Sequence, residues 1–166
     1  MKRLLLFAMA VFGLFLVGSS QLLAQTAEGD PFLGAWRLNL AKSKFVNMPP
    51  LDKPLLMTIE GQADARLVIV EGITTDEKNI AYSFLIDFGG SKKSPVEGTN
   101  MPNGEDTITA NKVDDHTIDA TGTKAGKVVY TSHVVVSPDG KSITITSEGT
   151  DPQGKPTSDT TVWDKK

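Results

Sequence analysis

Ser142-Ile143-Thr144-Ile145-Thr146-Ser147-Glu148-Gly149-Thr150 lies between two five-residue segments of one design, Ser137-Pro138-Asp139-Gly140-Lys141 and Asp151-Pro152-Gln153-Gly154-Lys155. The isoleucine–threonine alternation has the period of a strand with one apolar face. Each flanking segment has proline second and glycine fourth, which suits a type I turn followed by a glycine bulge. A two-residue turn at Asp139-Gly140 would instead place Pro138 where the ladder needs an N–H. The stretch therefore predicts three consecutive antiparallel strands.

Counting outward from the turns sets the register. Pairing Ser137 with Lys141 puts Val135 opposite Ile143, His133 opposite Ile145 and Thr131 opposite Ser147. Pairing Asp151 with Lys155 puts Trp163 beside Ile143, Thr161 beside Ile145 and Asp159 beside Ser147. The other face carries Thr144, Thr146, Glu148, Ser158 and Thr160, so the row with Ile143, Ile145 and Trp163 is expected inside. This inner wall grows more polar from Trp163 through His133 and Thr161 to Asp159. The gradient has two readings, a cavity whose polar groups orient a ligand or a wet, open rim.

The remaining strands are expected at Trp36 to Leu40, Leu55 to Glu60, Arg66 to Ile73, Asn79 to Phe88, near Val96, Thr107 to Asn111, Thr117 to Thr123, Lys127 to Val136 and Thr157 to Lys165. Short hairpins in series favour an all-β, antiparallel up-and-down barrel of eight to ten strands, whose closure removes exposed edges; a two-sheet sandwich is the runner-up. Ile80, Tyr82, Phe84, Ile86 and Phe88 form an aromatic-rich face expected inward, either as ordinary core or as the wall of a cavity. A two-residue turn at Ala125-Gly126 places Ile118, Ala120 and Gly122 inside. Leu67, Ile69 and Ile73 lie opposite Val68 and Val70, so the outside of that strand needs a cover. The loop with Phe45, Met48, Pro49, Pro50 and Leu51 is the simplest one, a second subunit the other.

Lys2 and Arg3, the apolar run Leu4 to Val17, and the break at Gly18, Ser19 and Ser20 before Leu22, Leu23 and Ala24 have the layout of a secretory signal peptide, expected at 1–24 with cleavage near Ala24; an uncleaved anchor is the alternative. A short segment, 25–31, then leads into a barrel domain at 32–166. Removing the leader leaves 142 residues, enough for one core, with 15 basic and 20 acidic side chains and a net charge of −5. Without a basic cluster, nucleic acid is not an expected partner. The chain has no cysteine, which excludes disulfides, lipid attachment at a cysteine and thiolate metal sites. The expected product is periplasmic or secreted, without stable membrane insertion, metal or cofactor.

Catalytic constellations are sparse. His116 follows Asp114 and Asp115 at a turn without a second histidine at ligand spacing, which favours a solvated turn. Ser132 and His133 are strand neighbours and point to opposite faces, so they cannot form a nucleophile–base pair. His133 with Asp159 or Thr161 is the inward titratable cluster that the register allows, and the one basis for an enzyme reading.

Gly34-x-Trp36 on the first strand, Pro31-Phe32-Leu33-Gly34-Ala35-Trp36, Ser43-Lys44-Phe45, Asp139-Gly140-Lys141 and the closing Trp163-x-Lys165 resemble the lipocalin and fatty-acid-binding-protein superfamily, and more closely its small exported bacterial lipocalin-like proteins. The resemblance implies a barrel plugged at one end by Trp36, with Gly34 as its structural partner, and an apolar ligand in the lumen. Thr161 and Trp163 stand where fatty-acid binders carry Arg-x-Tyr, so carboxylate anchoring by that route is not expected. A proline-rich loop replaces the helical lid. Lys165 is expected to be a poor substitute for the arginine that packs on the lipocalin tryptophan. The leading expectation is a non-enzymatic protein holding a small, partly apolar molecule among Tyr82, Phe84, His133, Ile145, Asp159, Thr161 and Trp163. The alternative is a solid-cored module that binds another protein.

Overall fold

The computed structural model describes residues 29–46, 50–88, 92–101, 103–150 and 154–166. The leader, most of the 25–31 segment, Met48, Pro49 and the turn residues Asp151-Pro152-Gln153 lie outside the described residues. The strands are β1 Gly34–Leu38, β2 Leu56–Gln62, β3 Ala65–Ile73, β4 Asn79–Asp87, β5 Ser94–Pro95, β6 Glu97–Thr99, β7 Thr107–Lys112, β8 Thr117–Lys124, β9 Lys127–Val136, β10 Ser142–Thr150 and β11 Pro156–Lys165. Among the described residues the count is eleven rather than eight to ten, because the strand expected near Val96 is divided into two short pieces.

That division closes the barrel. The sheet runs β5-β7-β8-β9-β10-β11-β1-β2-β3-β4-β6. Ser94 and Pro95 pair with β7, and three residues later Glu97 to Thr99 pair with β4, so one short segment stitches the two ends of the sheet together. The first and last long strands also pair, with Trp36 opposite Lys165 and Leu38 opposite Trp163. The result is an all-β, nearly closed antiparallel barrel.

Burial follows the alternation. Ile80 on β4, Val68 and Val70 on β3, Met57 and Ile59 on β2, and Ile143 and Trp163 on the last two strands are all buried. At one end Trp36 is fully buried, donates its indole N–H to the Phe32 carbonyl at 2.9 Å, and is covered by Phe32. Full burial of an indole contributes roughly 3 kcal/mol or more before chain entropy is counted. Lys165 does take the place over this ring, its Nζ 5.0 Å from the centroid, where a poor substitute was expected. Beside it, Arg66 stacks on Phe88 at 4.2 Å and Phe32 at 5.4 Å while its guanidinium is held by Asp30.

The β10–β11 register is as counted, with Ile143 opposite Trp163, Ile145 opposite Thr161 and Ser147 opposite Asp159. The β9–β10 register is not. Val136, not Val135, faces Ile143, and Thr146, not Ile145, faces His133. The reason lies in the turn. Gly140 N–H bonds to the Ser137 carbonyl as a type I turn requires, but Ser137 Oγ then accepts the N–H groups of Lys141 and Ser142, and the ladder resumes at Ser142. Lys141 gives its carbonyl to Lys165 of β11 instead. One additional loop residue reverses the facing of all of β9, sending Tyr130, Ser132, Val134 and Val136 inward and His133 out.

The β8–β9 turn has the expected two residues, with φ values of 48° at Ala125 and 79° at Gly126. A bulge between Gly122 and Thr123 then compensates the reversal of β9 and keeps Ile118 inside, opposite Val134.

Among the described residues, the loop expected to cover β3 does not do so. Phe45 turns into the barrel, Leu51 bridges to Thr74, and the outward Leu67 and Ile69 remain half-buried with Ile73 exposed.

Candidate functional site

A cavity occupies the lumen beyond the Trp36 plug. Its volume is about 180 Å³, taken as the space open to the centres of water molecules. This lies below the roughly 300 Å³ at which pockets for drug-sized ligands begin and a little above the roughly 150 Å³ of an apolar cavity that takes up benzene, so it is room for a small guest only.

The apolar part of the wall is the row foreseen on β4, Tyr82, Phe84 and Ile86, facing Val68 and Val70 of β3 and, across the lumen, Ile143, Ile145, Val134 and Trp163. Tyr82 and Phe84 are stacked, their centroids 6.4 Å apart at an interplanar angle of 12°. Trp163 donates its indole N–H to Thr161 Oγ1 at 3.0 Å, which fixes the ring and occupies one of that hydroxyl's two acceptor sites.

The polar part lies at the far end, as the β10–β11 gradient indicates. Asp159 lines the cavity there and accepts the Val46 N–H at 2.5 Å, while Lys44 exchanges backbone hydrogen bonds with Thr160. The β1–β2 loop is thereby tied across this end, with Phe45 among the lining residues. Ser132 and Ser147 hydroxyls are 2.7 Å apart and satisfy one another.

Glu105 and Tyr130 complete this end. Asp106 fixes the approach to β7 by donating its N–H to the Thr123 carbonyl and accepting the Ala125 N–H on its carboxylate. Glu105, one residue earlier, is thereby turned inward and is 4% exposed. The Tyr130 hydroxyl donates to Glu105 Oε1 over 3.3 Å. Tyr130 is seated between two glycines, facing Gly122 on β8 and Gly149 on β10. A Cβ at Gly122 would come within 2.2 Å of the tyrosine ring, and one at Gly149 within 2.4 Å of the Val129 carbonyl.

Electrostatics here are those of enclosed groups. Burial raises the Glu105 carboxyl above the ordinary carboxylate range. Burial first, and the charge of Glu105 second, push both the Tyr82 and the Tyr130 phenols well above their ordinary value. Tyr82 keeps some surface, but that surface faces the lumen, so its hydroxyl is effectively desolvated.

Six of the seven lumen candidates line the cavity: Tyr82, Phe84, Ile145, Asp159, Thr161 and Trp163. The seventh is a correction. His133 lies on the outer face, its side chain 56% exposed, with Nδ1 2.7 Å from Asp119 Oδ1. It does not meet Asp159 or Thr161, and the reversal of β9 removes the cluster on which an enzyme reading rested. His116 is likewise exposed, its N–H capped by Asp114 Oδ1 at 2.7 Å in a turn. Among the described residues no group of three or more metal-binding side chains converges.

Sequence reasoning missed Tyr130, Ser132 and Val134 because β9 is apolar on both faces and its facing hangs on the length of one turn. It missed Glu105 and Asn103 because they sit in a loop without periodicity. The paired glycines at 122 and 149, each strand-interior, were the available signal for a bulky neighbour.

No protein-family model matches the chain, and no curated protein matches it. Among solved structures it is similar to the crystal structure of zebrafish ileal bile acid-binding protein complexed with cholic acid, at 14% identity and a TM-score of 0.50, over 82% of this chain and 99% of that one. The likeness is one of fold. The shared fold is an antiparallel β-barrel, in accord with the barrel expected from the sequence.

Proposed function

We propose that this protein is an exported, non-enzymatic binding protein that holds one small, partly apolar molecule in its barrel lumen. The carrying observation is the cavity itself, enclosed by apolar side chains over most of its wall with polar groups gathered at one end. The bile acid-binding protein that shares the fold contains cholic acid in its structure, which supports this use of the lumen by analogy of architecture. Export to the periplasm or exterior, with cleavage near Ala24, rests on the leader pattern at residues 1–24 and accords with a stable domain built without cysteine.

Native mass spectrometry of gently purified protein tests the reading, together with calorimetric titration of octan-1-ol into the emptied protein. A bound small molecule or one-to-one uptake of the alcohol is expected, lost in Ile145→Trp, which fills the cavity. A protein that carries nothing and takes up no alcohol overturns it. A second reading has its own observation: Leu56, Ile73 and Leu85 are exposed on the outside of β2–β4 beside the half-buried Leu67 and Ile69, an apolar band suited to another protein. Unchanged octanol uptake in Leu67→Lys, with self-association at micromolar concentration lost, would assign the band a separate role.

A further inference from the structure

Among the described residues, one buried side-chain polar atom has no hydrogen-bond partner, and it is Glu105 Oε2. The rest of the carboxyl is met by the long contact from the Tyr130 hydroxyl at Oε1 and by the nearby N–H groups of Glu105 itself and Asn103. An enclosed carboxylate without a counterion is costly, and where a fold retains one, a missing partner is the first explanation to seek.

No cation of the wall supplies that partner. Arg66 is the one basic residue lining the cavity, and Asp30 holds it through both Nε and Nη2 while Phe88 and Phe32 cover its faces. Lys124, exposed at the end of β8 with its Nζ beside Gly104, acts on Glu105 through its charge but makes no ion pair with it. The other acidic group on the wall, Asp159, is partly satisfied by the Val46 N–H. Among the described residues, the lumen therefore presents two carboxylates and no free positive charge. A carboxylate-bearing guest would be repelled, whereas a donor-bearing one would complete the site.

We propose that the guest is a small amphipathic amine, whose ammonium group is received by Glu105 beside the Tyr130 hydroxyl while its apolar tail lies among Tyr82, Phe84 and Ile145. This rests on the reading of the lumen as a ligand site. An ammonium at hydrogen-bond distance would satisfy Oε2 and offset the burial that raises the Glu105 carboxyl. The cavity's volume of about 180 Å³, somewhat more than the roughly 150 Å³ that admits benzene, suits a guest no larger than an eight-carbon chain with one head atom.

The test is calorimetric titration of octylamine, octan-1-ol and octanoate into the purified protein at pH 7, then into Glu105→Gln. Octylamine is expected to bind at least tenfold more tightly than octan-1-ol, and octanoate more weakly than either. In Glu105→Gln the amine should lose tenfold or more and the alcohol less than threefold. Octanoate binding as tightly as octylamine, or amine affinity unchanged in the variant, overturns the assignment. Alcohol uptake with no preference for the amine overturns the head-group assignment and leaves the lumen reading standing; uptake of none of the three overturns both. The three-probe comparison on the unaltered protein decides the matter even if the variant does not fold.

Discussion

Gly122→Ala isolates the seat of Tyr130. A methyl group there would lie 2.2 Å from Cε1, 2.5 Å from Cζ and 2.8 Å from Cδ1 of the ring, all far inside contact distance. The base of the side chain is held, because Gly149 on the opposite neighbour strand abuts the Tyr130 Cα and Cβ. Overpacking of this kind costs about 1–3 kcal/mol. Gly122 has no left-handed φ, so alanine is free to adopt the backbone, and the loss of chain entropy in the unfolded state returns about 0.4–1 kcal/mol. The net expectation is a loss of about 1.5 kcal/mol in the natural background. In Tyr130→Val, which deletes every ring atom the methyl would meet, the same change should be neutral or stabilising by about 0.5 kcal/mol. The coupling is thus about 2 kcal/mol, well above the additivity expected of independent sites. Urea unfolding followed by the fluorescence of the buried Trp36 and Trp163 measures it; with a slope of about 2 kcal/mol per molar, the single variant shifts the midpoint by about 0.7 M. Equal costs in the two backgrounds would show that the glycine serves the bulge and not the ring.

Three further expectations follow from the same geometry. His133→Gln should leave stability within about 0.5 kcal/mol and octan-1-ol affinity unchanged, since the imidazole is solvated; a tenfold loss of affinity would contradict its outward placement. The folded protein binds the Glu105 proton more tightly than the unfolded chain does, so stability attributable to this group falls as pH rises from the ordinary carboxylate value of 4.5 through its raised folded value. Glu105→Gln should flatten that slope and unfold at higher urea at pH 8, whereas a lower midpoint there would refute the burial argument. The exposed Asp76, Asp114, Asp139 and Asp164, held below 3.8 by hydrogen bonds, act in the opposite sense and only as pH falls below that value. Asp30→Asn should cost about 2 kcal/mol in urea unfolding, less than for a wholly enclosed pair because the Asp30 and Arg66 side chains keep 9% and 12% of their surface; no change would mean that the aromatic rings alone hold Arg66.

Much of the barrel was legible because alternation and turn chemistry agreed. Ile143, Ile145, Thr161 and Trp163 fell in register because the Asp151–Lys155 turn length and the hydrophobic pattern pointed the same way. The Tyr82 row was legible because its two faces differ sharply. Strand β9 was not, since Val134 and Val136 compete with Val135 for the interior and nothing local decides between them. A serine hydroxyl capping two amides settled the matter, and such a cap leaves no periodic trace. Glu105 was hidden for a different reason. Loop residues acquire their direction from tertiary hydrogen bonds, here those of Asp106, and not from spacing.

The stitched segment between β4 and β7 gives this shell a seam. Three residue pairs hold Glu97–Thr99 to β4 and two hold Ser94–Pro95 to β7, whereas nine join β10 to β11. Amide deuteration should accordingly begin along this line, with the β9–β10–β11 amides protected longest. A container that parts most cheaply along one thin join can admit a guest sideways while its floor, sealed by indole and arginine stacking, stays shut.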